Sequence, residues 1–116
     1  MSAEEHPKSS EGSIDSTIVI VRYVELRIQI EKVEEVRQLL KAQAPLVRSQ
    51  DGCFHLEINE SIDEAGLFST YSYWTGVDAL NLYRQSDVFR DFWNRVKPLF
   101  RESAHARSFV HLDTLS

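Results

Sequence analysis

The stretch 68-FSTYSYWTGVDALNLYRQSDVFRDFWNRVKPLF-100 changes period part-way along, and that change decides the fold. Residues Phe68 to Trp74 alternate as a strand does, Thr75-Gly76 breaks the pattern, and the apolar residues then recur at helical spacing. The stretch holds nine of the twelve aromatic residues: Phe68, Tyr71, Tyr73, Trp74, Tyr83, Phe89, Phe92, Trp93 and Phe100. Buried aromatics contribute large apolar area, and Tyr and Trp add a polar tip that needs a partner. The region therefore reads as a small core, a pocket wall, or both.

Other segments extend the pattern on either side. Residues 17–30 (TIVIVRYVELRIQI) form a strand in which Val24, Leu26, Ile28 and Ile30 alternate with Tyr23, Glu25, Arg27 and Gln29. Residues 31–48 switch to a helix carrying Val33, Val36, Leu40 and Val47 on one stripe, with acids near its positive end. Pro45 should kink or shorten the last turn. Asp51-Gly52 turns the chain into a second strand, residues 53–60, with Phe54, Leu56 and Ile58 opposite His55, Glu57 and Asn59. Residues 61–66 make a hairpin connection to the strand 67–74. Thr75 with Asp78 reads as the cap of a short helix, and Ser86-Asp87 as the cap of a second helical segment ended by Pro98. Residues 104–113 supply the last strand. Met1 to Ser16, with almost nothing to bury, reads as a disordered tail, leaving residues 17–116 as the domain.

The resulting order is β-α-β-β-α-β, an α+β ferredoxin-like arrangement with a four-stranded antiparallel sheet. Its helices can cover one face of that sheet. The other face, with Tyr23, Arg27, His55 and Glu57 among aromatic rings, is expected to bury against a second copy in a homodimer that encloses a cavity.

At 116 residues with a net charge of -5, the chain has the size of one domain and lacks the basic face that nucleic acids or anionic membranes require. No apolar run approaches the ~20 residues of a membrane span, and the N-terminus has no signal-peptide h-region. The single cysteine, Cys53, suits a reducing compartment, so a cytoplasmic location is expected.

The segments Asp51-Gly52-Cys53-Phe54, Phe68 to Trp74, Ala79-Leu80 and Ser86-Asp87-Val88-Phe89 resemble the antibiotic biosynthesis monooxygenase domain, over roughly residues 18 to 112. The resemblance implies a dimeric α+β barrel and, from the family's best-known members, cofactor-independent oxidation of phenolic or quinol-like molecules. Relatives degrade haem. Trp74 matches the tryptophan of the family's acid-x-Trp motif. Ser72 stands where the acid is common, Tyr83 where many members carry histidine, and Trp93 near the haem-ligating histidine of the haem-degrading branch. The first strand also offers no matching asparagine, so haem degradation is disfavoured.

Two functional readings follow. In the first, the protein oxidises a small aromatic or quinol-like substrate with dioxygen and no cofactor. Trp74 stacks on the substrate and His55 moves a proton, histidine being the side chain most easily tuned near neutral pH. Tyr23, Arg27, Ser72, Tyr83 and His111 then contact the substrate. Aligned by the resemblance, the row Phe68, Thr70, Ser72, Trp74 faces the inter-sheet cavity, with Tyr71 and Tyr73 under the helices. In the second, the fold is a non-catalytic small-molecule-binding or interaction domain, and the same residues are interface or core. Arg22, Glu25 and Arg27 would bind an anionic group or form cross-strand ion pairs. Tyr83 and Arg84 would gate a pocket mouth or form a solvated helix face. A metal site at His55, Glu57 and His111 lacks any HxH or HExxH spacing, and none is expected. Phe89, Phe92, Trp93, Val96 and Phe100 read as core packed on Val24, Leu26, Phe54 and Leu56. Cys53 reads as a small buried hydrophobe.

Overall fold

In the computed structural model, residues 18–115 are described; the tail expected over residues 1–16 lies outside them. Strand β1 (Ile20–Arg27) leads through a 3-10 turn (Ile30–Lys32) into helix α1 (Val33–Arg48). Strands β2 (Cys53–Glu60) and β3 (Leu67–Trp74) follow, then helices α2 (Val77–Arg84) and α3 (Asp87–Val96), a second 3-10 turn (Lys97–Leu99) and strand β4 (His105–Val110). The sheet order is β2-β3-β1-β4 with every neighbouring pair antiparallel, the ferredoxin-like arrangement. No helix among the described residues is long and apolar enough to cross a membrane.

Several local expectations are corrected. Helix α1 runs through Pro45 to Arg48, and the Ser49 amide donates to the Pro45 carbonyl at 3.1 Å, so the last turn is kept. The cap of α2 is Gly76 rather than Thr75, with no side-chain cap bond. Ser86 caps α3 as expected, accepting from the Phe89 amide at 3.2 Å. Gly52 has φ +85, and a Cβ there would sit 2.5 Å from Ala79 Cβ and 2.9 Å from Thr75 Oγ1, so this turn requires glycine.

The register of β2 slips between Cys53 and His55. Phe54, in that bulge, is consequently exposed and meets Tyr73 edge-on at 5.9 Å, instead of joining the core.

The largest correction concerns the two faces of β3. Phe68, Ser72 and Trp74 are buried toward the helices, whereas Tyr71 and Tyr73 lie on the open face with Tyr23, His55 and His111. This reverses the expected orientation. Neither row of β3 is cleanly apolar, so alternation alone could not choose between them. Packing chose the row with the largest ring, and the Trp74 indole N–H is satisfied by Ser72 Oγ at 2.9 Å.

The core under the helices is split in two. One cluster gathers Leu26, Ile28, Phe68, Val36, Leu40, Phe92 and Val96; the other gathers Ile20, Cys53, Trp74, Val47 and Leu80.

Candidate functional site

Between these clusters, two rungs of the sheet carry residues that cannot close an apolar core. One rung aligns Ser108, Arg22, Ser72 and Leu56; the next aligns Ala106, Val24, Thr70 and Ile58. Above Arg22, Ser72, Leu56, Val24, Thr70 and Ile58 lies a cavity of about 90 Å³. Helix α1 roofs it with Leu40, Gln43 and Ala44, α2 adds Tyr83 and Arg84, and α3 adds Phe89, Phe92 and Trp93. The lining is overwhelmingly apolar, with its polar groups confined to hydroxyls, one amide, the Trp93 indole N–H and two guanidiniums. Few, well-placed polar groups in an apolar hollow are what small-molecule sites use for orientation.

Tyr83 is the best-defined of these groups. Its ring stacks on Trp74 at 5.1 Å and 22°, and meets Phe89 edge-on at 5.3 Å. Burial pushes its phenol up to about 12, against the opposing influence of Gln43 and Arg22. Tyr83 is therefore protonated at neutral pH and can donate a hydrogen bond, but cannot serve as a base. Gln43 is held by its side-chain N–H donating to the Val88 carbonyl at 3.2 Å. Arg22 donates to Ser108 Oγ at 2.9 Å. The Arg84 Nε is buried and has no hydrogen-bond partner, the one such side-chain atom among the described residues.

The residues singled out from the sequence divide between the two faces. Ser72 and Tyr83 line the cavity, whereas Trp74, expected to stack on a substrate, is fully buried behind them, against the Tyr83 ring and bonded to Ser72. His55, Tyr23, Arg27 and His111 stand on the open side of the sheet. There the His55 Nε2 pairs with Glu57 Oε2 at 2.9 Å, and the Tyr73 ring sits between His55 at 5.2 Å and His111 at 5.4 Å. Tyr23 donates to Glu25 at 2.5 Å, which pushes its phenol up to about 12 and holds the Glu25 carboxyl below its usual range. Arg27 pairs with Glu64 at 2.8 Å, and Arg101 grips the same carboxylate at 2.7 Å. Tyr23, Glu25 and Arg27, with His105 and Arg107, line a wider and more open hollow of about 460 Å³. Another shallow hollow of about 390 Å³ lies beside Asp51, Thr75 and Asp78. His55 and Trp74 therefore do not share one site.

Thr70 lies on the row expected to face a cavity, though on the helix side of the sheet, while Gln43, Phe89 and Trp93 are pocket residues that the sequence reading does not reach. Gln43 did leave a signal, since it interrupts the Val36, Leu40, Val47 stripe of α1. Phe89 and Trp93 left none, because ring-lined cavity and ring-filled core look alike in one dimension. Cys53 is buried, and its thiol is raised by that burial. Among the described residues no group of three or more His, Cys, Asp or Glu is disposed to hold a metal.

The sequence profile of antibiotic biosynthesis monooxygenases matches residues 19–95, from β1 through almost all of α3. The chain belongs to this family. No curated protein sequence matches it. Solved structures of the same fold include Rv0793 from Mycobacterium tuberculosis, at 21% identity and a TM-score of 0.78, covering 84% of this chain and 99% of that one. Protein SO0527 from Shewanella oneidensis superposes at 0.76 with 23% identity, over 85% and 95% of the two chains. A Caulobacter crescentus protein provisionally named an antibiotic biosynthesis monooxygenase superposes at 0.78 with 18% identity, over 84% and 92%. At these identities the likeness concerns the fold.

Proposed function

We propose that the protein is a cofactor-independent monooxygenase acting on a small aromatic, quinol-like molecule held in the helix-side cavity. The observation that carries this reading is the apolar, ring-roofed cavity of about 90 Å³ between the two core clusters. At about 90 Å³ the space is smaller than the engineered cavity of ~150 Å³ that takes benzene, so it excludes a fused system and takes a single ring only with outward movement of its side chains. The ring packs against Val24, Phe89 and Trp93. Its oxygen accepts from the Tyr83 hydroxyl, while the nearby Arg22 charge favours the ionised form. Trp74 acts behind Tyr83, holding that ring by stacking. The quinol proton leaves to water. In the balanced reaction, a quinol and one dioxygen give a hydroxyquinone and one water. One oxygen atom enters at a ring carbon, the other leaves with two hydrogens, and the substrate supplies all four electrons.

The open sheet face supports self-association. Tyr71, Phe54 and Phe109 are exposed there beside Tyr23 and Tyr73, and a second copy of the sheet would cover them. Light scattering at micromolar concentration should give twice the chain mass; a monomer would count against this part. The single buried cysteine fits a reducing cytoplasm.

A second reading, a binding domain without chemistry, is favoured by one observation: no His, Asp or Glu among the described residues lines the cavity. Oxygen uptake with a panel of monocyclic quinols separates the two. Consumption of one dioxygen per substrate supports the monooxygenase; uptake no greater than in buffer across the panel removes it and leaves the binding domain.

A further inference from the structure

The cavity contains one feature that a neutral quinol does not explain. Arg84 enters from the last turn of α2, and its Nε is buried without an acceptor. Leaving such a donor unpaired is costly and rare in folded proteins, so it calls for an acceptor from outside the chain. Among the described residues no Asp or Glu lines the cavity, so none of their carboxylates answers the guanidinium there. A second arginine, Arg22, reaches the same space from β1, with one nitrogen already given to Ser108.

We infer that the cavity recognises a single-ring aromatic carboxylate, with the Arg84 Nε donating to the carboxylate. This rests on the helix-side cavity being the ligand site proposed above. Carboxylate fits better than phenolate on two grounds. It is fully ionised at neutral pH, whereas a phenol is not. It also presents two oxygens to a planar guanidinium, the geometry in which arginine exceeds a point charge. The ring packs against Phe89 and Trp93 and the oxidisable hydroxyl meets Tyr83, while the acid group extends toward Arg84 at the α2 side of the cavity.

The test uses probes that cannot turn over. Benzoate and benzyl alcohol differ in charge but hardly in size, and Trp93 in the cavity wall gives a fluorescence signal for either. At pH 7 wild type should bind benzoate at least tenfold more tightly than benzyl alcohol, the scale of one charge-assisted bond to a buried donor. Arg84→Met keeps the aliphatic stem and removes the donor. It should bring the two affinities within about twofold, with the thermal midpoint at or above that of wild type because an unsatisfied group has been removed. Should that variant not fold, Arg84→Lys carries the same comparison, since it keeps charge without the planar fork and should lose most of the preference. Equal binding of both probes by wild type, or an undiminished benzoate preference in the variant, overturns the carboxylate assignment alone. If neither probe binds, the cavity itself is not a ligand site and both readings fail together.

Discussion

Filling the cavity from the helix side should separate folding from function. Ala44 lines the cavity one turn beyond Leu40 on α1, and leucine is also a strong helix former, so Ala44→Leu adds apolar volume without disturbing the backbone. At ~24 cal/mol per Å³ of cavity, abolishing the 90 Å³ space has a ceiling of about 2 kcal/mol. The three added carbons, at ~0.8 kcal/mol each, give a similar figure. Ordering the leucine side chain costs about 0.5–1 kcal/mol. The expected net gain is about 1–2 kcal/mol, or a rise in thermal midpoint of roughly 4–8 °C per kcal/mol. Urea denaturation followed by tryptophan fluorescence measures the gain. Benzyl alcohol binding and quinol-dependent oxygen uptake measure the expected loss, at least tenfold in each. A variant that is less stable than wild type, or that binds the probe unchanged, would refute the existence of usable space between the two core clusters.

Trp74→Phe removes the indole bond to Ser72 and part of a fully buried ring, so urea melts should show about 2–3 kcal/mol of destabilisation. Gly52→Ala forces a side chain onto Ala79 at positive φ, and about 2–4 kcal/mol should be lost by the same assay; a neutral outcome would mean the turn has another backbone conformation. Tyr23 and Tyr83 are raised from 10 to about 12 in the fold. They stay protonated where the unfolded chain has ionised, so their contribution is fully present below pH 10 and is lost as pH rises from 10 to about 12. Absorbance titration should find these two phenols ionising near pH 12, and Tyr83→Phe should remove one of them. His55→Ala, on the open sheet face, should change probe affinity less than twofold; a tenfold loss would return His55 to the site.

Period alone made most of the backbone legible. The 2-to-3.6 switch after Trp74, the Asp51-Gly52 turn and the Ser86 cap placed β2 and β3 at their observed bounds and yielded the ferredoxin-like order. These features are local, set by a few neighbouring residues and their backbone preferences. What the sequence could not decide was the face of β3. Phe68, Thr70, Ser72 and Trp74 alternate with Leu67, Ser69, Tyr71 and Tyr73, and each row mixes rings with hydroxyls. Which row turns inward depends on what α1, α2 and α3 bring to meet it, a long-range packing choice in which one residue of parity moves every side chain across the sheet. Tertiary structure put Trp74 and Tyr83 together, sent His55 to the other side, and left a cavity above Ser72, Thr70 and Arg22 where polar residues had been threaded through an apolar face.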